Sequence, residues 1–177
     1  DLPVDEALRR TTHLCVAAHQ DDIEIMAAYP ILECLQQSDK WFTGVVMTDG
    51  RGSPRSGLYK VFSDEEMRRV RWKEQRKAGV VGEYAATVLL DYPSKLLKNG
   101  TQVQPVADLQ AVIRAASPSI IYTHNLADKH DTHVAVALRV IEAVRRLDKT
   151  ERPMQLVGCE IWRALDWIVD SDKLLMN

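Results

Sequence analysis

The chain has no Cys-x-x-Cys pair, no long apolar run and no marked excess of either charge, and each absence removes a class of protein. Its three cysteines, Cys15, Cys34 and Cys159, are an odd set, and at least two fall in apolar segments. That argues against a disulfide scaffold or a thiolate zinc site and predicts buried free thiols in a reducing compartment. No apolar stretch approaches the roughly 18 residues of a membrane span. The opening DLPVDEALRR lacks the charged-then-apolar order of a signal peptide. A formal net charge of −2 offers no basic field for nucleic acid and no solvating acidic tail. Internal repeats and low-complexity tracts are also missing. These features predict a cytoplasmic protein that neither inserts into membranes nor binds nucleic acid.

What is present is a repeated exchange of two periodicities. With 177 residues, 46% of them hydrophobic, the chain can bury the core of one compact domain. Short apolar runs at 13–18, 41–48, 87–92, 119–123 and 155–161 read as strands. Helical spacing falls between them, at 22–36, from Ser63 to about Tyr84, at 106–116 and at 132–147. Pro30 should kink or delay the first of these helices. Ser63 with Glu66 three residues on forms a capping box that opens the second. Strand and helix alternate throughout. That predicts a single α/β domain with three layers, Rossmann-like, in which helices cover both faces of a mostly parallel sheet of five or more strands.

In such sheets ligands bind beyond the carboxyl ends of the strands, where the strand order reverses. Two strand ends carry histidines: AHQDD at 18–22 and THNLADKHDTH at 123–133. If a helix starts near His19, then His19 and Asp22 share one face while Asp21 points aside. Taken alone, HxDD reads more readily as a capping aspartate beside a loop histidine. The second segment adds His130 and His133, again three apart, at the start of an amphipathic helix whose positive end favours neutral imidazole. There the competing reading is Asp131 or Thr132 as the helix cap. Jointly, His19, Asp22 and His133 form a two-histidine, one-carboxylate set with an open coordination position, suited to catalytic Zn²⁺ or to Fe²⁺.

AHQDD, TDG at 48–50, the RxxExxxAxxxG pattern from Arg71 to Gly82 and HDTH at 130–133 resemble the LmbE-like family of zinc-dependent N-deacetylases. That family includes N-acetylglucosaminyl-phosphatidylinositol deacetylases and thiol-biosynthesis deacetylases. The likeness runs in order over about 12–162, and its specificity lies in the combination of motifs. It departs at Gln20, where proline is usual, at Met26 and Ala28, where glycines are common, and at HDTH, where HPDH is typical. The resemblance implies His19, Asp22 and His133 as zinc ligands and Asp21 as general base. It implies His130 as the group that stabilises the oxyanion or donates a proton. It further implies removal of an acetyl group from the amide nitrogen of an amino sugar or related small molecule, with homo-oligomers as in the rings of subunits common in the family. Since members commonly continue past the position of Asn177, a C-terminal segment is expected to be missing from one LmbE-like domain over 1–177.

Other residues are weaker candidates. Arg71 matches the family's arginine and is expected to orient substrate, unless it is one more solvated cation on a helix where Glu65, Glu66 and Glu74 interleave. Asp49 borders the expected site, either contacting substrate or holding a ligand histidine, or else forming a turn beside Gly50. The loop over 51–60 could be a lid over an anionic substrate or a plain connection; it lacks the spacing of a phosphate loop. Trp162, followed by Arg163, Asp166 and Trp167, offers an indole to a sugar face. His124 and Asp128 stand close enough in sequence to orient His130 or His133. Two readings from other classes compete: a non-haem Fe(II) oxygenase using the same ligands, and a metal-binding scaffold without turnover.

Overall fold

The computed structural model describes residues 2–162 and 168–173. Five strands, β1 (His13–Ala17), β2 (Phe42–Thr48), β3 (Ala86–Tyr92), β4 (Ile120–His124) and β5 (Gln155–Cys159), form one sheet in the order β3-β2-β1-β4-β5. Every pairing is parallel, so each return to the sheet must cross over one of its faces. The crossovers carry helices α2 (Asp22–Met26), α3 (Ala28–Cys34), α4 (Asp64–Val81), α5 (Ser94–Lys98), α6 (Gln104–Ala116) and α7 (Asp131–Arg146), with α1 (Val4–Arg9) preceding β1.

Alternating strand residues feed two separate cores. Leu14, Val16, Val45, Met47 and Ile121 pack with Leu109 and Ile113 of α6 and Val136 and Val140 of α7. On the other face, Cys15, Ala17, Phe42 and Val46 meet Ile23, Ile31 and Cys34 of α2 and α3. β1 is buried along its whole length, as a central parallel strand must be. Its three-layer arrangement fixes the switch point: the chain leaves β1 towards β2 on one side, and β4 returns on the other.

Local chemistry accounts for most boundaries. The Ser63 side chain accepts from the Glu66 amide while Glu66 accepts from the Ser63 amide, which sets the start of α4. The helix expected over 22–36 is two helices, broken at Ala27 (φ −116°, ψ 24°). Pro30 then sits in the first turn of α3, where its missing N–H leaves no helical bond unmade. β4 runs one residue further than expected, to His124, and α7 is capped by His130 itself rather than by Asp131 or Thr132. The helices α1 and α5 were not evident from periodicity. No described helix is long and apolar enough to cross a membrane.

Candidate metal centre and active site

The β1–α2 turn is tightly specified. Asp21 adopts φ 85°, ψ −26°, a left-handed conformation that costs a residue with a Cβ of order 1–3 kcal/mol and recurs at functional sites. That twist lets the next residue turn inward: Asp22 is buried, and its Oδ2 accepts from the His19 amide at 2.7 Å. Gln20 is also buried and donates from Nε2 to Thr48 O at 3.0 Å, tying the turn to the end of β2. On the β4 side, Ala18 N–H donates to His124 Nε2 at 2.8 Å, bridging the two strand ends across the switch point. The other ring nitrogen, His124 Nδ1, is buried with no hydrogen-bond partner among the described residues.

Three side-chain atoms from these two turns converge. His19 Nδ1 lies 3.1 Å from His133 Nε2 and 3.2 Å from Asp22 Oδ2, and His133 Nε2 lies 3.4 Å from Asp22 Oδ2. Donor atoms about 2.1 Å from a tetrahedral cation stand about 3.4 Å apart, so this triangle has the size of a coordination face. Two further groups of close donors, His19 with His130 and His133, and Asp22 with His124 and His133, each share two residues with this triangle. The donors also suit a cation. Burial by itself raises the Asp22 carboxyl pKa, and the His124 and His19 imidazoles beside it more than reverse that shift, holding it well below the ordinary range. Burial lowers the pKa of His133, favouring the neutral ring. His133 Nδ1 is 2.9 Å from Asp128 Oδ2, an arrangement that leaves the Nε2 lone pair facing the other donors.

The Asp128 side chain is fully enclosed; its Oδ1 also accepts from the His130 amide at 2.8 Å and from Trp162 Nε1 at 2.9 Å. Burial works to raise its pKa, and these three hydrogen bonds outweigh it to leave the net shift downward. His130 Nδ1 accepts from the Thr132 amide at 3.2 Å, so a neutral His130 carries its proton on Nε2. Its ring stacks on His133 with centroids 4.5 Å apart.

Asp21, by contrast, is exposed, and its Oδ2 lies 2.8 Å from an Arg71 guanidinium nitrogen. The Arg71 guanidinium also donates to Gln20 O and pairs with Glu74, so three internal partners hold it. Gln75, one turn along α4, accepts the Asp21 amide at 3.2 Å and donates to Glu24, which also accepts from Tyr84. Neither Gln75 nor Tyr84 figured among the candidates from sequence; the signal was a polar residue four positions after Arg71 on one helix face. Gly50, at φ 72°, closes this corner: a Cβ there would lie 2.7 Å from Gln20 Oε1.

These residues border a cleft of about 550 Å³ lined by His19, Asp21, Asp22, Arg71, His130 and His133, with Ile25, Pro54, Ile161 and Trp162 supplying apolar surface. Asp49 does not line it. That carboxylate is buried and turned to its own loop, accepting from the Arg51 amide at 3.1 Å, which is the turn-forming arrangement. In the 51–60 loop, Gly52, Ser53 and Pro54 reach the cleft. Arg51 pairs with Glu65 and Asp49, and Arg55 donates to the carbonyls of Arg51, Ser53 and Phe62 and pairs with Asp64. Arg163, Asp166 and Trp167 lie outside the described residues.

Against known proteins, the family model for GlcNAc-PI de-N-acetylase (PIG-L) matches residues 14–144. The fold is shared with N,N'-diacetylchitobiose deacetylase from Pyrococcus horikoshii, at TM-score 0.66 and 22% identity over 76% of this chain and 49% of that one. It is shared too with a conserved protein from Thermus thermophilus, TT1542, at TM-score 0.65 and 20% identity over 84% and 66%. A third likeness, at TM-score 0.62 and 19% identity over 84% and 62%, is to the 4-carboxy-2-hydroxymuconate hydratase GalB from Pseudomonas putida. No curated protein sequence matches the chain. The chain spans about half to two thirds of the length of these structures. Because they include a hydratase as well as a deacetylase, the fold does not choose the reaction.

Proposed function

Because the chain belongs to the GlcNAc-PI de-N-acetylase (PIG-L) family, we propose that it is a divalent-metal-dependent hydrolase that removes an acetyl group from the amide nitrogen of an N-acetylated amino sugar or related small molecule. The observation that carries this reading is the triangle of His19 Nδ1, Asp22 Oδ2 and His133 Nε2, with mutual separations of 3.1–3.4 Å. Those three residues would hold the ion, and zinc is the metal we favour for two imidazoles and one carboxylate with an open position. An ion bound there supplies Lewis-acid polarisation and lowers the pKa of water towards about 7.

The chain's own residues do the rest. Asp21, presented to the cleft by its left-handed turn, takes the proton of the attacking water and returns it to the amide nitrogen as the carbon–nitrogen bond breaks, so that the amine and acetate leave. Arg71 holds that carboxylate from the protein side and keeps it from swinging away. His130, whose Nδ1 is occupied by the Thr132 amide, offers Nε2–H to the oxygen that becomes negative as the carbonyl carbon turns tetrahedral. Ile25, Pro54 and Ile161 shed water from the walls around these groups. Cys15, Cys34 and Cys159 are all free and buried, which fits a reducing compartment, and we place the enzyme in the cytoplasm.

The test is release of primary amine and acetate from a panel of N-acetylated amino sugars. Turnover that is lost on chelation and restored by zinc supports the proposal. Stoichiometric metal binding with no amine release from any member of the panel would return the non-catalytic scaffold instead.

A further inference from the structure

We infer that Trp162 is a positioning residue of the metal centre: its indole N–H fixes Asp128, Asp128 fixes the His133 imidazole, and divalent-metal affinity therefore depends on a side chain that supplies no ligand atom. The inference rests on the metal-centre reading above and assigns Trp162 a role other than a platform for a sugar ring.

The turn that delivers Trp162 is well determined by its neighbours. β4 and β5 pair to their last residues, His124 opposite Cys159, and the Asn125 amide continues the ladder to Cys159 O at 2.9 Å. Immediately beyond, Glu160 Oε1 accepts from the Ile161 and Trp162 amides at 3.1 and 3.0 Å. This brings the indole beside the His124 end of β4. There its plane lies within 15° of the His133 ring at 5.6 Å and within 12° of the His130 ring at 6.4 Å.

The polar edge of the indole is committed inward. Nε1 donates to Asp128 Oδ1 at 2.9 Å, while Oδ2 of the same carboxylate meets His133 Nδ1 at 2.9 Å. The Asp128 side chain has no solvent exposure while the half-exposed indole covers it, so loss of that donor leaves Oδ1 to the His130 amide and to water, which does not fix its direction as the ring does. With the indole present, Oδ1 holds two donors, the His130 amide and Trp162, and the plane of the carboxylate is set. Removing one of them frees Oδ1 to rotate and loosens the bond at Oδ2 that selects the His133 tautomer with a bare Nε2. The Lys129 ammonium, 4.4 Å from the indole centroid, adds a cation to the ring and further restricts it.

Two substitutions separate this role from ring packing. Trp162→Phe keeps an aromatic ring and deletes the donor; Trp162→Gln keeps an N–H donor of similar reach and deletes the ring. Zinc affinity is read by competition with a chromophoric chelator, and the His133 tautomer in the metal-free protein by ¹⁵N NMR. The expected result is a zinc Kd weakened about tenfold in the Phe variant and within about threefold of wild type in the Gln variant, the lower range for loss of an outer hydrogen-bond partner. Alongside it, the Phe variant alone should shift His133 towards Nε2–H. A Phe variant with wild-type affinity and tautomer overturns the inference, as does a Gln variant weakened as much as Phe. A wild-type protein that binds no zinc would instead remove the metal centre itself and this inference with it. That failure appears in the wild-type titration, before any variant is compared.

Discussion

Arg71 and Asp21 are joined across 50 residues by an ion pair of 2.8 Å, and this contact is what holds an exposed carboxylate at the mouth of a buried donor cluster. Since Arg71 is itself held by Gln20 O and Glu74, it acts as a fixed bracket rather than a free cation. Arg71→Ala should therefore lower kcat by roughly 10- to 100-fold through misplacement of the base, with little change in metal content. Steady-state kinetics with metal analysis checks this; a rise in KM alone would assign Arg71 to substrate binding instead.

Asp21→Asn should lower kcat by about 10²- to 10⁴-fold, the usual range for loss of a general base, while the metal stays bound. The substitution preserves shape and the potential to meet Arg71, so folding is not the variable. Turnover unaffected by Asn would move the base elsewhere.

The left-handed backbone at Asp21 has a thermodynamic signature. Glycine adopts φ 85° without steric cost and alanine does not. Asp21→Gly should thus be more stable than Asp21→Ala by about 1–2 kcal/mol in urea unfolding, although both lack activity. Equal stability of the two variants would mean that the turn relaxes once the aspartate is gone.

The opposite end of β1 gives a pH dependence that is independent of the metal. Burial lowers the pKa of His13, against an opposing pull from Glu33 and with a smaller lowering from Lys40. The unfolded chain therefore binds this proton at a higher pH than the folded one, and stability must fall as pH drops from about 6.5 towards the lowered folded value. The urea midpoint of the metal-free protein should fall between pH 7 and pH 5, and His13→Gln should flatten that slope. An unchanged slope in the variant would assign it to other groups.

Much of the architecture was legible because its signals are local. Alternating apolar runs and helical spacing marked the five strands and the long helices, and the Ser63/Glu66 box marked the start of α4 within a residue. Short elements escaped: α5 has five residues, too few to establish a period, and the break at Ala27 is a backbone choice that apolar spacing on both sides conceals. At the site, His19 and Asp22 do meet, though not on a helix that starts near His19: α2 starts at Asp22, and the left-handed turn at Asp21 makes the contact. The meeting with His133 needs β4 beside β1, an order the sequence does not state. Other contacts could not be read from one segment. Gln75 reaches the Asp21 amide only through packing of α4 on the sheet, and Trp162 reaches Asp128 only because β5 lies beside β4. Asp49, placed at a strand end by its position, turned towards Arg51 because the nearest amide donor lay in its own loop.

The account stands on one cation shared by residues from both sides of the switch point. Its most direct test is metal stoichiometry by mass spectrometry under native conditions, on wild-type protein and on His133→Ala loaded with zinc. One ion per wild-type chain and none in the variant is the expected result. A variant that keeps its full complement of zinc would contradict the assignment of His133, and with it the convergence of the two strand ends on a single ion.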